Sequence, residues 1–362
     1  MIKITQQLHG LGQRLWLDNI TRELLDNGIL QRYISEYSVT GLTSNPTIFH
    51  NALKSSAVYD AAIRKYFHDG ESAEEIFMQL AVEDLSRAAD LFRGVHDASD
   101  GIDGWVSLEV PPALAHDTAG TIRAALQLHA RLARPNLLIK IPGTEAGLAA
   151  IEEVIFAGVP VNVTLLFSRE HYLAAAAAYM RGIERRIAAG RDPRVASVAS
   201  LFVSRWDVAV KDKVEGELRN RLGIAISKRT YKAYRELLAA PHWQRLQAEG
   251  ALPQRLLWAS TGTKDPAAKA SLYVDALAAP DTINTMPDKT LLAFAEAGEI
   301  KSVLPADGGD AEEVLAEFSR AGVAPDTLAA DLQRDGTAAF VQSWNELVLL
   351  ISAKTGMMSK TQ

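Results

Sequence analysis

Lys140 lies in the run Leu137-Leu138-Ile139-Lys140-Ile141-Pro142, a cation flanked by apolar residues in what reads as a central strand. Holding an unpaired charge there would cost about several kcal/mol, and a neutral amine is one relief. A neutral lysine amine is also the nucleophile that attacks a ketone to form a Schiff base. A strand-edge gatekeeper or a structural ion pair would produce the same local pattern. Asp18 and Glu109 are carboxylates ending two other apolar runs, placed to move protons or to pair with Lys140. Each could equally be a helix cap or an ion-pair partner. Thr43, Asn45, Asn162 and Thr164 are uncharged donors and acceptors of the kind that hold hydroxyl-bearing substrates. For Asn45 the segment Ser44-Asn45-Pro46 is also a good turn and helix start. Anion-holding groups come later, with Ser200 and Arg205 around Phe202 and then Ser260 to Lys264 in Ser260-Thr261-Gly262-Thr263-Lys264. That glycine loop lacks the spacing of a phosphate-binding P-loop.

The elements that must position these groups are short runs rich in Val, Ile and Leu with little polar alternation. They fall near Leu15–Asn19, Ser38–Asn45, Val106–Val110, Leu137–Pro142, Pro160–Phe167, Ala196–Val203, Arg255–Thr261 and Thr282–Met286. Strands covered on both faces read this way, and such strands form parallel sheets. Amphipathic segments such as Ser72–Arg93, Thr118–Leu132 and Arg169–Ala189 alternate with them, Ser72 and Glu75 being spaced as a capping box. Strands each followed by helix predict an α/β fold, a (β/α)8 barrel, with catalytic groups at the carboxyl ends of the strands. The chain is expected to be one domain over residues 1–362, with helical insertions near 51–104 and 206–250 and further helices at the C-terminus around a loop at Pro305–Asp310. Lys228, Arg229, Lys232 and Arg235 on the second insertion predict a solvated basic helical face.

Composition closes off several classes. The chain has 362 residues, 48% of them apolar and 23% charged, as in a compact protein able to bury roughly three quarters of its unfolded surface. It has no cysteine, which excludes disulfides, thiolate nucleophiles and Cys-ligated metal clusters and favours a reducing, cytoplasmic setting. A formal charge of −6 argues against nucleic-acid or anionic-membrane partners. The N-terminal residues lack the apolar core of a secretory signal. The charge-free stretch Val154–Ser168 is too short and too interrupted to span a bilayer and reads as a buried strand with its approach. The eight histidines show no zinc-binding spacing, no GxGxxG follows a strand, and no GxSxG elbow occurs, so neither a metal nor a cofactor is expected. Trp16, Trp206, Trp258 and Trp344 are expected in packing rather than base stacking.

The segments Leu15-Trp16-Leu17-Asp18-Asn19, Ser38-Val39-Thr40-Gly41-Leu42-Thr43-Ser44-Asn45-Pro46, Ile139-Lys140-Ile141-Pro142 and Asn162-Val163-Thr164-Leu165-Leu166-Phe167-Ser168 resemble those of transaldolases. The resemblance follows the longer branch found in actinobacteria and cyanobacteria and runs in order from about Leu8 to Gly356. It implies a metal-free barrel enzyme that moves a dihydroxyacetone unit from sedoheptulose 7-phosphate or fructose 6-phosphate to glyceraldehyde 3-phosphate or erythrose 4-phosphate, in the non-oxidative pentose phosphate pathway. Carried over by motif, Lys140 would be the Schiff-base lysine and Asp18 the base for the C4 hydroxyl. Glu109 with Thr164 would manage a water during carbinolamine dehydration, and Asn45 and Asn162 would hold the dihydroxyacetone hydroxyls. Ser200, Arg205 and Ser260 fall in the phosphate-contacting segments. Many transaldolases carry an Arg where this chain has Gly262, and Lys264 is expected to supply the second cation, with Lys228 or Arg229 as substitutes. The implied partners are phosphorylated sugars, and the protein is expected as a monomer or homodimer.

Three other readings remain open at this point. Fructose-6-phosphate aldolases share the barrel and the lysine but use a Tyr near the position of Phe202, so Phe202 together with Glu109 favours transfer. A deoxyribose-phosphate aldolase needs a second buried lysine, and none is evident. A non-catalytic sugar-phosphate-binding protein would have no reason to bury a lysine beside two carboxylates.

Overall fold

A computed structural model describes residues 3–214 and 216–359. Eight parallel strands close into a barrel in sequence order, β1 (Arg14–Asp18), β2 (Val39–Thr43), β3 (Trp105–Glu109), β4 (Leu137–Pro142), β5 (Val161–Leu166), β6 (Ser197–Phe202), β7 (Gln254–Ala259) and β8 (Thr282–Met286). The α/β barrel read from the apolar runs is therefore the fold, and the expected strands lie within two residues of the observed ones. The strand residues are almost all buried, because each strand is covered by barrel interior on one side and helices on the other.

Register does the positioning. Glu109 pairs with Lys140 across β3 and β4, Lys140 with Asn162 across β4 and β5, and Asp18 with Thr43 across β1 and β2. Lower in the barrel Trp16 is in register with Gly41, and its indole occupies the space a side chain there would need. β5 breaks its register with β6 after Val163, where Leu165 adopts a left-handed backbone (φ 59°). Trp206 and Trp258 are buried and donate their indole N–H groups to Phe167 O and Leu277 O, as expected of packing residues. Trp16 and Trp344 are also buried.

Helix starts follow the local chemistry. Ser72 accepts from Glu75 N at the head of Ala73–Ala98, Asp117 from Gly120 N at Thr118–Leu132, and Ser168 from His171 N at Arg169–Ala188. Three helices, Pro46–Ser55, Asp60–His68 and Ala73–Ala98, separate β2 from β3, and Ser204–Val210, Leu222–Ala239 and Pro241–Ala248 separate β6 from β7. The stretch Val154–Ser168 holds the expected buried strand, and its approach is the end of a helix. Val154–Ala157 ends the helix Glu145–Ala157, which Gly158 terminates in the left-handed region (φ 93°), and only Val161–Leu166 is strand. The C-terminal loop is also longer than expected, running from 298 to 310 before the helix Ala311–Arg320.

The basic face on Leu222–Ala239 lies at the surface, and each of its four cations has a carboxylate partner there. Lys228 pairs with Asp310 at 2.6 Å, Arg229 with Glu312, Lys232 with Glu236 at 2.6 Å and Arg235 with Asp281 at 2.7 Å. The long final helix Pro325–Ser359 packs on Pro46–Ser55 and Ala73–Ala98, and Trp344 meets Phe77 edge-on at 5.1 Å. Gln333 on the same helix donates to Gly143 O and Leu165 O, tying it to the carboxyl ends of β4 and β5. No described helix is long and apolar enough to cross a membrane. Gly41→Ala places a methyl 2.5 Å from the Trp16 indole, and overpacking of this kind costs about 1–3 kcal/mol or more. The urea midpoint of that variant should drop with the helical circular-dichroism signal retained.

Candidate active site

The carboxyl ends of the strands open into a cavity of about 910 Å³. Asp18, Thr43, Asn45, Lys140, Thr164, Ser200, Phe202, Arg205, Ser260 and Lys264 all line it. Glu109 and Asn162 lie buried in the adjoining barrel wall, each beside Lys140 through its strand register. These twelve residues thus reach one place.

Lys140 Nζ lies 3.3 Å from Glu109 Oε2, with both side chains nearly inaccessible, and donates to Ser44 O at 3.2 Å. Apart from the Lys140 ion pair, the buried Glu109 oxygens have no partner in the protein, and neither does the buried Thr164 hydroxyl. Burial pushes the Glu109 carboxyl above its ordinary value, and the charge of Lys140 pulls it back. Asp18 Oδ1 accepts from Thr43 Oγ1 at 2.8 Å, and that hydroxyl in turn lies 2.8 Å from Thr285 Oγ1. Burial also raises the Asp18 carboxyl, against the opposing pull of Lys140 and then of Thr43.

The amides are already oriented by neighbours. Asn162 Nδ2 donates to Ser107 Oγ at 3.1 Å, and Asn162 Oδ1 accepts from Ser200 Oγ at 2.7 Å. Asn45 Oδ1 accepts from Ile48 N, so the helix-start reading of Asn45 is correct, and its Nδ2 remains for a ligand. Both roles coexist.

Arg205 lies between two aromatic rings, its guanidinium carbon 5.1 Å from the Phe202 centroid and 5.6 Å from that of Phe340. Burial pulls its value down, with Glu109 and Asp18 opposing. Among the described residues Lys54, Arg205 and Lys264 form no ion pair, so three cations face the cavity without carboxylate partners. Ser260 follows β7 in a left-handed backbone (φ 55°), with its hydroxyl 3.0 Å from that of Ser204. Lys264 therefore stands at the site, whereas Lys228 and Arg229 are held by Asp310 and Glu312 and do not line the cavity.

Sequence reasoning missed several lining groups. Thr285 was visible in principle as a polar residue in the eighth apolar run. Asn19 follows β1, Lys54 lies on the helix after β2 and Asp288 starts the helix after β8, where polar residues carry no signal. Phe340 reaches in from the final helix, its ring centroid 5.7 Å from Lys140 Nζ, and only the path of that helix reveals it.

This is a (β/α)8 barrel whose buried lysine and carboxylates open at the carboxyl mouth. The family profile described as Transaldolase/Fructose-6-phosphate aldolase matches residues 15–351. A transaldolase of Saccharopolyspora erythraea is 43% identical over 350 residues, covering 95% of each chain. One from Thiobacillus denitrificans is 43% identical over 358 residues, covering 97% of this chain and all of that one. "Transaldolase 2" of a Nostoc species is 38% identical over 367 residues, covering 96% of each. The chain belongs to the transaldolase/fructose-6-phosphate aldolase family.

The raised Asp18 carboxyl has a stability consequence. The folded protein keeps this proton at a pH where the unfolded chain has lost it. Stability therefore falls as pH rises from the ordinary carboxylate range through the higher folded value. Asp18→Asn should remove that slope and be more resistant to urea than the parent at pH 8, while losing about 10²–10⁴-fold in turnover if the carboxylate moves a proton. Urea titrations at pH 5 and pH 8 with steady-state rates check both signs.

Proposed function

We propose that the protein is a transaldolase that carries a dihydroxyacetone unit on Lys140 from a ketose phosphate to an aldose phosphate, within the non-oxidative pentose phosphate pathway of the cytoplasm. The observation that carries the reading is the buried Lys140–Glu109 contact at the floor of a cavity that also holds Asp18 and the unpaired cations Arg205 and Lys264. The Lys140 amine adds to the C2 carbonyl of the ketose, and Glu109, 3.3 Å away, exchanges protons with it as the carbinolamine forms and loses water. The Thr164 hydroxyl, buried and unpartnered, holds the departing water. Asp18 takes the C4 hydroxyl proton, the C3–C4 bond breaks, the aldose phosphate leaves, and the bonding electrons pass into the protonated imine to give an enamine.

The enamine adds to the acceptor aldehyde as Asp18 returns its proton to the new hydroxyl. Water then hydrolyses the imine, freeing the product ketose and Lys140. Asn45 and Asn162 hold the dihydroxyacetone hydroxyls, while Arg205, Ser260 and Lys264 take the phosphate. Transfer requires that the enamine not meet water before the acceptor arrives. Phe340, clamped over Lys140 and Arg205 by the final helix, supplies that cover.

Turnover of fructose 6-phosphate should need an acceptor such as erythrose 4-phosphate, with little free dihydroxyacetone formed. Copious dihydroxyacetone without acceptor would instead make the protein an aldolase. Phe340→Ala should raise acceptor-independent dihydroxyacetone release, read with glycerol dehydrogenase. Lys264→Ala should raise the KM for fructose 6-phosphate by about 10–100-fold, the worth of one charge-assisted bond. An unchanged KM would remove Lys264 from the phosphate site.

A further inference from the structure

Asp207 is a buried carboxylate outside the cavity and untouched by the chemistry above. It sits two residues after Arg205 on the helix Ser204–Val210. No described cation forms an ion pair with it. Three donors hold it instead. Its Oδ1 accepts from Leu222 N at 2.9 Å, and its Oδ2 accepts from Gly223 N at 3.3 Å and from the Tyr273 hydroxyl at 2.8 Å. Gly223 is required for this approach, since a Cβ there would lie 2.5 Å from Val203 O and 2.9 Å from Asp207 Oδ2. A buried carboxylate without a cation is costly, and burial pushes this one up to about 6. A neutral side chain would have capped the neighbouring helix at less cost.

What the charge holds together is informative. Tyr273 begins the segment that follows the β7 loop, and that loop carries Ser260 and Lys264. The loop is braced internally by Thr263 Oγ1 donating to Lys269 O at 2.9 Å. A second tie crosses at Asn220, whose amide donates to Asp265 Oδ2 at 2.8 Å. At the near end Ser204 N donates to Ser260 O at 3.0 Å. Arg205 and Lys264 therefore come from two different strand ends, and Asp207 bonds the element of the first to the element that anchors the second.

Resting on the phosphate reading above, we propose that Asp207 is a positioning residue that fixes the spacing between Arg205 and Lys264, so that both cations meet one phosphate of the sugar. It touches no substrate. Its loss would let the Lys264 loop move relative to Arg205 and weaken phosphate binding, leaving the chemistry at Lys140 alone.

The test compares fructose 6-phosphate with unphosphorylated fructose as donor, erythrose 4-phosphate being acceptor, in the parent, Asp207→Asn and Tyr273→Phe. Tyr273→Phe removes only the bond to the Lys264 side and leaves the two backbone bonds of Asp207 intact, so it stands if Asp207→Asn fails to fold. Both variants should raise the KM for fructose 6-phosphate about tenfold, the worth of one hydrogen bond to a charged group, with kcat moved by less than about twofold. The kcat/KM for fructose should stay as in the parent. Equal losses with both donors would mean a merely structural role and overturn the inference, as would an unchanged KM. If the parent itself shows no preference for the phosphorylated donor, the phosphate reading fails and this inference with it. A parent that discriminates, with variants that discriminate equally well, sinks the inference alone.

Discussion

Two opposite charges buried 3.3 Å apart in adjacent strands, Lys140 and Glu109, set the terms for everything around them. Neither tolerates burial without the other, since removing one partner of such a pair leaves an uncompensated charge at a cost of about 3–5 kcal/mol. The pair exists only because β3 and β4 are in one register, and a slip of one residue would turn either side chain to the opposite face of the sheet. The close fit of Trp16 over Gly41 fixes β2 against β1, and closure of all eight strands leaves β3 and β4 flanked on both sides. The fold thus holds Lys140 between a carboxylate and a backbone carbonyl, a cluster that a less rigid scaffold would let relax into water.

The rest of the site is arranged in two layers about this pair. Below the cavity, Ser107, Asn162 and Ser200 form a chain of hydrogen bonds that leaves no freedom for the Asn162 amide. Above it, Arg205 is held by aromatic rings rather than by carboxylates, so its charge stays available to an anion entering the mouth. Two of the residues with a left-handed backbone, Leu165 near the end of β5 and Ser260 just after β7, lie at the same level. Stability is spent here for geometry, as the raised Asp18 and Glu109 carboxyls also indicate.

Much of this was legible in the sequence because parallel strands covered on both faces leave near-continuous apolar runs. A Lys, Asp or Glu inside such a run is then conspicuous, which is why Lys140, Asp18 and Glu109 stood out while the flanking loops did not. Phe340 and the bracing Gln333 were invisible for a physical reason. Helical periodicity says that one face of Pro325–Ser359 is buried but not which strand ends it will cross. The partners of Lys228 and Arg229 were illegible for a similar reason, because Asp310 and Glu312 lie 82 and 83 residues further along. The carbonyl of Ser44 that receives the Lys140 amine carries no side-chain signal at all.

The central claim is that Lys140 becomes covalently bound to a ketose. The most direct measurement is borohydride reduction in the presence of fructose 6-phosphate, followed by peptide mass mapping. The account predicts a stable sugar-derived adduct on Lys140, absent when Lys140 is replaced by Ala. No adduct, or one confined to a different lysine, would contradict it.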